Sequence, residues 1–514
     1  MRLLLGAAAL AVVVGATSAA HASGFYTADR GVRTLGRGGA FVAGGDDLNA
    51  ITYNPAGIFD AGTSLLIDAS VVLFRSDYTR QAILRQVDPN SGEVVAEYEQ
   101  TFPTIEGSGA PIPLPTIAGS WIVHPDWRVA VGVHVPYATL PSYPEELEDG
   151  TPSPGRYQLV NLDGSALAVV GGYVAWRPVE PLTIGAGFEL LVGAFRSRQH
   201  LTGCVPERFF CSPEDPEWDV AAEITAAPIV APSGNLGLIW QFYDGFRVGA
   251  SFHLPFWIHA PATIVTRLPS TPVFRTVEQV GEDATIDFTL PWELRLGVEM
   301  RGLPEGLRVE IGGDYHHWEV HDAIIVEPDG VALTNIPGFP KEYLLPPISI
   351  ERGFQGTFGA RIGAEYAIDA AEDIVVTPRA GFSYETSAVP TEYQSLLLLD
   401  AGKATPSVGL GVQVGGSRFD LVYAHQFYPT VEVDPREARL PQTIPLQANP
   451  SDTPDIINGG IYNIGVDVIG LGYQYTFDDG KKPAVEEESP APPPAPKPAP
   501  KPAEESVEAE PDEE

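Results

Sequence analysis

The chain has 514 residues, with 53 Gly, 49 Pro, 10% aromatic residues, two Met and a formal net charge of −36. That length exceeds one ordinary soluble domain, yet no composition break occurs before about residue 478, so one large body is expected. The acidity excludes a nucleic-acid partner, because a phosphate backbone needs a basic surface.

Residues 1–22 have the form of a secretory signal peptide. Arg2 supplies the positive start, Leu3 to Val14 is a short apolar core, and Ala20-His21-Ala22 fits the small-x-small cleavage rule. No stretch approaches the roughly 18 apolar residues of a spanning helix.

Residues 23–61 follow. The segment is rich in glycine (Gly31, Gly36, Gly38, Gly39, Gly44, Gly45) and ends in Asn54-Pro55-Ala56-Gly57. It lacks strand alternation, and Leu35, Phe41, Val42, Ile51 and Tyr53 make it too apolar for a disordered tail.

From residue 62 the period changes to two. Leu290, Trp292, Leu294, Leu296, Val298 and Met300 alternate with Glu293, Arg295, Glu299 and Arg301, and Leu307, Val309, Ile311 with Arg308 and Glu310. Period two means β-strand with one apolar and one ionic face. Fourteen such strands are predicted: 63–79, 115–124, 127–137, 163–177, 181–200, 228–241, 245–266, 284–301, 306–321, 354–368, 372–388, 404–415, 417–433 and 459–477. Short turns alternate with long loops, as in bacterial outer-membrane barrels. The expected fold is therefore all-β, a fourteen-stranded antiparallel transmembrane β-barrel over 62–477. Residues 23–61 then have two places, inside the barrel as a plug (hatch) or outside it as a periplasmic cap.

Several features lie within this frame. Val133-His134-Val135-Pro136-Tyr137 closes the third strand, and Pro136 either ends it or breaks it, since proline donates no ladder hydrogen bond. Cys204 and Cys211, close together in an exported chain, predict a local disulfide. His317, Glu319 and His321 would share one face if the strand continued, so a metal site is conceivable there; the bland reading is the polar outer end of a strand. No metal site, cofactor or catalytic residue is assigned. In the last strand Leu471, Tyr473, Tyr475 and Phe477 resemble the signal read by the barrel-insertion machinery. Tyr462, Ile464, Val466 and Val468 have the opposite phase, which predicts a bulge near Ile469 and Gly470. The acidic loops read as solubility or as cation sites beside lipopolysaccharide. The tail, 478–514, carries a Pro-Ala-Lys run and an acidic end; it reads as a disordered spacer or a periplasmic cell-wall contact.

Gly36-Arg37-Gly38-Gly39-Ala40-Phe41-Val42-Ala43 with Asn54-Pro55-Ala56 resembles the start of the FadL-type long-chain fatty acid and aromatic hydrocarbon transporters of the Gram-negative outer membrane. The start Ser23-Gly24-Phe25, Thr289-Leu290-Pro291-Trp292 and Arg379 to Glu385 are similar too. The resemblance covers about 23–477. It implies a hatch-plugged barrel, an inner ligand pocket near Ser23, Gly24, Phe25 and Asn54-Pro55-Ala56, and a sideways exit at a break in the third strand, here Pro136 and Tyr137. The function it implies is passive transport of hydrophobic small molecules, with long-chain fatty acids as the expected cargo. Two other classes stay open: a structural or adhesive barrel, and an outer-membrane lipid-modifying enzyme.

Overall fold

The computed structural model describes residues 29–477 except 88–93, 110, 138–140, 207, 213, 303 and 448–454. The expected signal peptide, Ser23, Gly24, Phe25 and the tail 478–514 lie outside the described residues. Among the described residues, no helix is long and apolar enough to cross a membrane.

The period-two segments form fourteen wall strands. They are β1 (Ser64–Val87), β2 (Ile112–His124), β3 (Trp127–Tyr137), β4 (Ala166–Val179), β5 (Leu182–Thr202), β6 (Asp219–Tyr243) and β7 (Phe246–His253 and Phe256–Arg267). There follow β8 (Asp283–Leu290 and Glu293–Arg301), β9 (Leu307–His316), β10 (Thr357–Tyr366), β11 (Ile374–Glu385), β12 (Lys403–Val414), β13 (Ser417–Phe427) and β14 (Gly460–Thr476). Neighbours pair antiparallel in chain order, and β1 closes on β14 from Ser64↔Thr476 to Arg80↔Gly460. Closure removes the unpaired edges that no sheet can leave in lipid.

The number of strands is as expected; their ends are not. β1 and β6 run beyond the predicted bounds, and β7 and β8, each expected to be continuous, break at Leu254-Pro255 and Pro291-Trp292. Alternation sets the faces. Leu296 is 54% exposed on the outer face, whereas Glu299 and Glu310 are fully buried inside.

The interior has two layers of different chemistry. At the short-turn end, charged side chains of the wall meet residues 29–61. At the long-loop end the filling is mainly apolar, with Tyr78, Leu191, Ile258 and Tyr462 from strands and Leu159 and Leu396 from loops in one buried cluster, beside the ion pairs Arg80–Glu214 and Arg156–Asp219.

This layering corrects the predicted bulge. β14 holds unbroken register with both neighbours through Ile469 and Gly470. Tyr462, Val466 and Val468 are buried inside, and farther along the same face come Gly470, Gly472 and Gln474. The apolar phase changes because the inner face is apolar above and polar below, not because the strand slips.

The predicted histidine face is also corrected. β9 ends at His316, and Trp318–Val320 is a 3₁₀ turn. His317, Glu319 and His321 therefore do not share a strand face; His321 Nδ1 lies 2.9 Å from the Thr289 carbonyl, and His317 lies 3.0 Å from the Tyr315 hydroxyl. Cys204 and Cys211 are disulfide-bonded, with Cα atoms 5.8 Å apart, in a loop cluster with Trp218, Phe274 and Leu333.

Candidate functional site

Residues 29–61 fold as short helices α1 (Val32–Leu35) and α2 (Ala50–Tyr53) and a 3₁₀ turn, Pro55–Phe59. Glycine in the wall decides how closely this segment approaches. A Cβ on Gly381 would lie 2.0 Å from the Gly38 nitrogen, one on Gly363 2.1 Å from the Arg37 carbonyl oxygen, and one on Gly185 2.2 Å from the Ala56 nitrogen. The inward positions that alternate with apolar residues are thus small where the backbone of the inner segment packs against the wall and charged where its ions and N–H groups reach it.

The charges pair across this contact. Arg33 reaches Asp46 at 2.6 Å, Asp47 at 3.0 Å and Glu365 of β10 at 2.7 Å. Arg37 reaches Glu299 of β8 at 3.0 Å. The Glu310 carboxylate of β9 accepts the N–H groups of Val42, Ala43 and Gly44 at 2.7, 2.9 and 2.8 Å. Arg308 and Arg418 of the wall bind Asp46 and Asp47, each at 2.6 Å. Burial raises the Asp46 carboxyl, but the cations Arg308 and Arg33 outweigh it and hold the group well below the usual carboxylate range. Buried ions survive only when paired and hydrogen-bonded in this way.

Asn54, Pro55 and Ala56 are brought together as a buried corner. The Asn54 amide donates to the carbonyls of Val42 at 2.7 Å and Leu238 of β6 at 3.0 Å, and its oxygen accepts the Ala56 N–H at 3.1 Å. Pro55 occupies the first turn of the 3₁₀ helix, where no amide donor is needed. This triplet fixes the segment to the wall.

The wall is interrupted beside this floor. The β2–β3 ladder ends at Thr116↔His134, although β2 continues against β1 as far as Ile112. β3 stays with β4, with a register shift between His134 and Tyr137. Pro113 and Pro115 on one side and Pro136 on the other supply no ladder donors.

Behind the interruption lies a small pocket lined by Arg30, Thr52, His134, Pro136, Pro291, Glu189 and Glu293, with Phe256 and Val169 at its apolar side. His253 Nε2 lies 2.6 Å from Glu189 Oε2, and the Tyr173 hydroxyl donates to Glu189 Oε1 at 2.9 Å. The cavity sits where the charged layer meets the apolar one.

Of the residues named from the sequence, His134, Pro136, Pro291 and Glu293 line this cavity and Asn54 to Ala56 lie in the floor's anchor. Arg30, Thr52, Glu189 and His253 were not singled out. Glu189 had a signal: it is a lone carboxylate in the apolar run Phe188 to Val192.

The chain from residue 12 to 458 matches the model of the family described as outer membrane protein transport protein (OMPP1/FadL/TodX). A FadL homologue of Pseudomonas aeruginosa superposes with a TM-score of 0.64 at 14% identity, over 89% of this chain and 100% of that one. The toluene transporter TodX of Pseudomonas putida gives 0.56 at 18% identity, over 87% and 98%. The monoaromatic hydrocarbon channel CymD gives 0.51 at 14% identity, over 89% and 98%. At these identities the likeness is one of fold. No curated protein matches the chain. The wall, its inner segment and the family match agree, and the chain belongs to the OMPP1/FadL/TodX family of outer membrane transport proteins.

Proposed function

We propose that the chain is a passive conduit for hydrophobic small molecules in the outer membrane of a Gram-negative bacterium. In this reading residues 23–61 are the plug, and cargo leaves sideways at Pro136 and Tyr137. The observation that carries it is the end of the β2–β3 ladder at Thr116↔His134, directly in front of the cavity that Pro136 lines. Cargo descending through the apolar layer meets a charged floor that disfavours it and an unpaired seam at the same height. No energy source is invoked: flow follows removal of cargo.

Long-chain fatty acids are the proposed cargo. Arg30 at the floor of the cavity offers a cation to a carboxylate, while Val169 and Phe256 belong to the apolar cluster that suits a tail. A second reading, neutral aromatic hydrocarbons, is supported by the shared fold of TodX, a toluene transporter, and CymD, a monoaromatic hydrocarbon channel. Uptake of labelled oleate and labelled toluene by cells with and without the protein separates the two. A fatty-acid conduit raises oleate uptake severalfold; an adhesive barrel raises neither.

A further inference from the structure

The seam between β6 and β7 is interrupted as well. Its ladder runs from Phe246↔Tyr243 to His253↔Asn235 and resumes at Ala262↔Ala226. No ladder rung joins residues 227–233 of β6 to 255–261 of β7, and the one side-chain bond from this stretch of β6 across the seam, Ser233 Oγ to the Leu254 carbonyl at 2.8 Å, lies at its lower end; Gly193↔Ile229 to Glu189↔Ser233 and Phe256↔Leu290 to Pro261↔Thr285 keep the outer flanks closed.

Two physical causes coincide. Pro228, Pro232, Pro255 and Pro261 fall in these stretches and offer no amide donor. The strands are also out of phase. The rungs on either side share one register, which sets Ile229 opposite His259 and Ala231 opposite Trp257. Ile229 and Ala231 are buried inside, whereas Trp257 is 62% exposed and His259 faces out. A ladder needs opposite residues on one side of the sheet, and a one-residue slip forbids it. β6 slips at Ala227 and Pro228, two consecutive exposed residues, and β7 at Pro255 and Phe256, two consecutive buried ones. Between the two slips no common register exists.

The height of this seam matters. Trp240 and Val230 are both outward and exposed, ten positions apart on β6; a tilted strand climbs about 2.5 Å per residue along the membrane normal. The seam therefore opens at the outer half of the bilayer. Phe256 belongs also to the lining behind Pro136, but the rest of this seam's inner lining differs from it: Ile229, Ala231, Ile258 and Ala260 are buried, apolar and part of the upper cluster.

We infer that the β6–β7 seam is a second side passage, joining the apolar layer to the outer half of the bilayer and suited to neutral hydrocarbons. On the outward rim His259 is already bonded to Asp287 at 2.6 Å, and the inner lining is apolar, so a carboxylate would be costly to desolvate and the two openings sort cargo by charge. The inference of a passage rests on the conduit reading above; the opening itself does not.

Two measurements test it on the full chain in lipid vesicles and in cells. A bimane fluorophore on Ala260→Cys is exposed to nitroxide-labelled lipids, with Val466→Cys on the closed β13–β14 seam as reference. Quenching at least twofold stronger at Ala260→Cys is expected; equal quenching overturns the opening. Ala231→Cys on the facing strand gives the same reading should Ala260→Cys fail to assemble. A short bis-maleimide bridge between Val230→Cys and Trp257→Cys should then lower toluene uptake at least threefold and leave oleate uptake unchanged. Unchanged toluene uptake overturns the passage while the opening stands. Uptake of neither compound by the unbridged protein overturns the conduit reading and the passage with it, and the quenching still decides the opening.

Discussion

Arg37 Nη2 of the inner segment stands 3.0 Å from Glu299 Oε1 of β8, and both side chains are fully buried. Glu310 and Glu365 each lie 3.4 Å from the same guanidinium, so one cation compensates part of three carboxylates. Arg308 also reaches Glu299 at 2.9 Å, Arg33 reaches Glu365 at 2.7 Å and three N–H groups reach Glu310, so the segment is held by one shared buried network. That arrangement suits a plug: rigid while paired, and destabilised by any change that separates the partners.

Arg37→Met should therefore loosen the segment. Removing one member of a buried ion set typically costs roughly 3–5 kcal/mol, because the remaining charges stay buried. Single-channel conductance in planar bilayers should rise, and deletion of 23–61 should set its upper limit. If neither change raises the conductance, residues 23–61 are not the plug.

Close approach gives a milder perturbation. Gly381→Ala places a methyl group 2.0 Å from the Gly38 nitrogen, an overpacking that costs about 1–3 kcal/mol. It should raise conductance without preventing assembly. Gly465 is the control: a Cβ there would meet nothing within 4 Å, and Gly465→Ala should leave conductance unchanged.

Most of the wall was legible because lipid imposes a strict alternation: Leu294, Leu296 and Val298 face out and Glu293, Arg295 and Glu299 face in. The rest was not, because the inner face has no single polarity. In β14 the switch from Val468 to Gly470 imitates a bulge. In β7 and β8 the breaks at Pro255 and Pro291 depend on which residues stand opposite, a property of pairs that a single strand does not display. The cavity escaped notice for the same reason. Arg30, His134, Glu189 and Glu293 come from four separate segments; of the two prolines in its lining, Pro136 was read as an interruption and Pro291, where β8 breaks, was not.

Leu296→Arg tests the outer face. An arginine at mid-bilayer costs roughly 2–4 kcal/mol, so the urea midpoint in vesicles should fall clearly, whereas Leu296→Phe should hold it. Gly297→Arg is no lenient comparison, because a Cβ there would already lie 2.7 Å from Glu310 Oε1. Equal midpoints for Leu296→Arg and Leu296→Phe would mean that this face does not meet lipid.

Asp400, in the loop between β11 and β12, accepts hydrogen bonds from Ser387 Oγ at 2.6 Å and the Ala388 N–H at 3.0 Å. Burial pushes its carboxyl up from 3.8 to about 8. A group whose pKa is raised on folding binds more protons folded than unfolded, so stability falls as pH rises from about 4 to about 8 and is level above that. Asp400→Asn should remove this slope. Urea midpoints at pH 5 and pH 9 should differ less for the variant than for the native chain; equal differences would show that Asp400 is already ionised in the fold.

The lateral route at Pro136 is the central claim, and a bridge across the β2–β3 opening tests it most directly. Pro115→Cys and Val135→Cys, opposite each other in the register that ends at Thr116↔His134, can be joined by a short cleavable bis-maleimide. The bridged protein should bind labelled oleate yet fail to deliver it to cells, and cleavage of the bridge should restore uptake. Normal oleate uptake with the bridge in place would contradict the account and direct the cargo past a displaced plug into the periplasm.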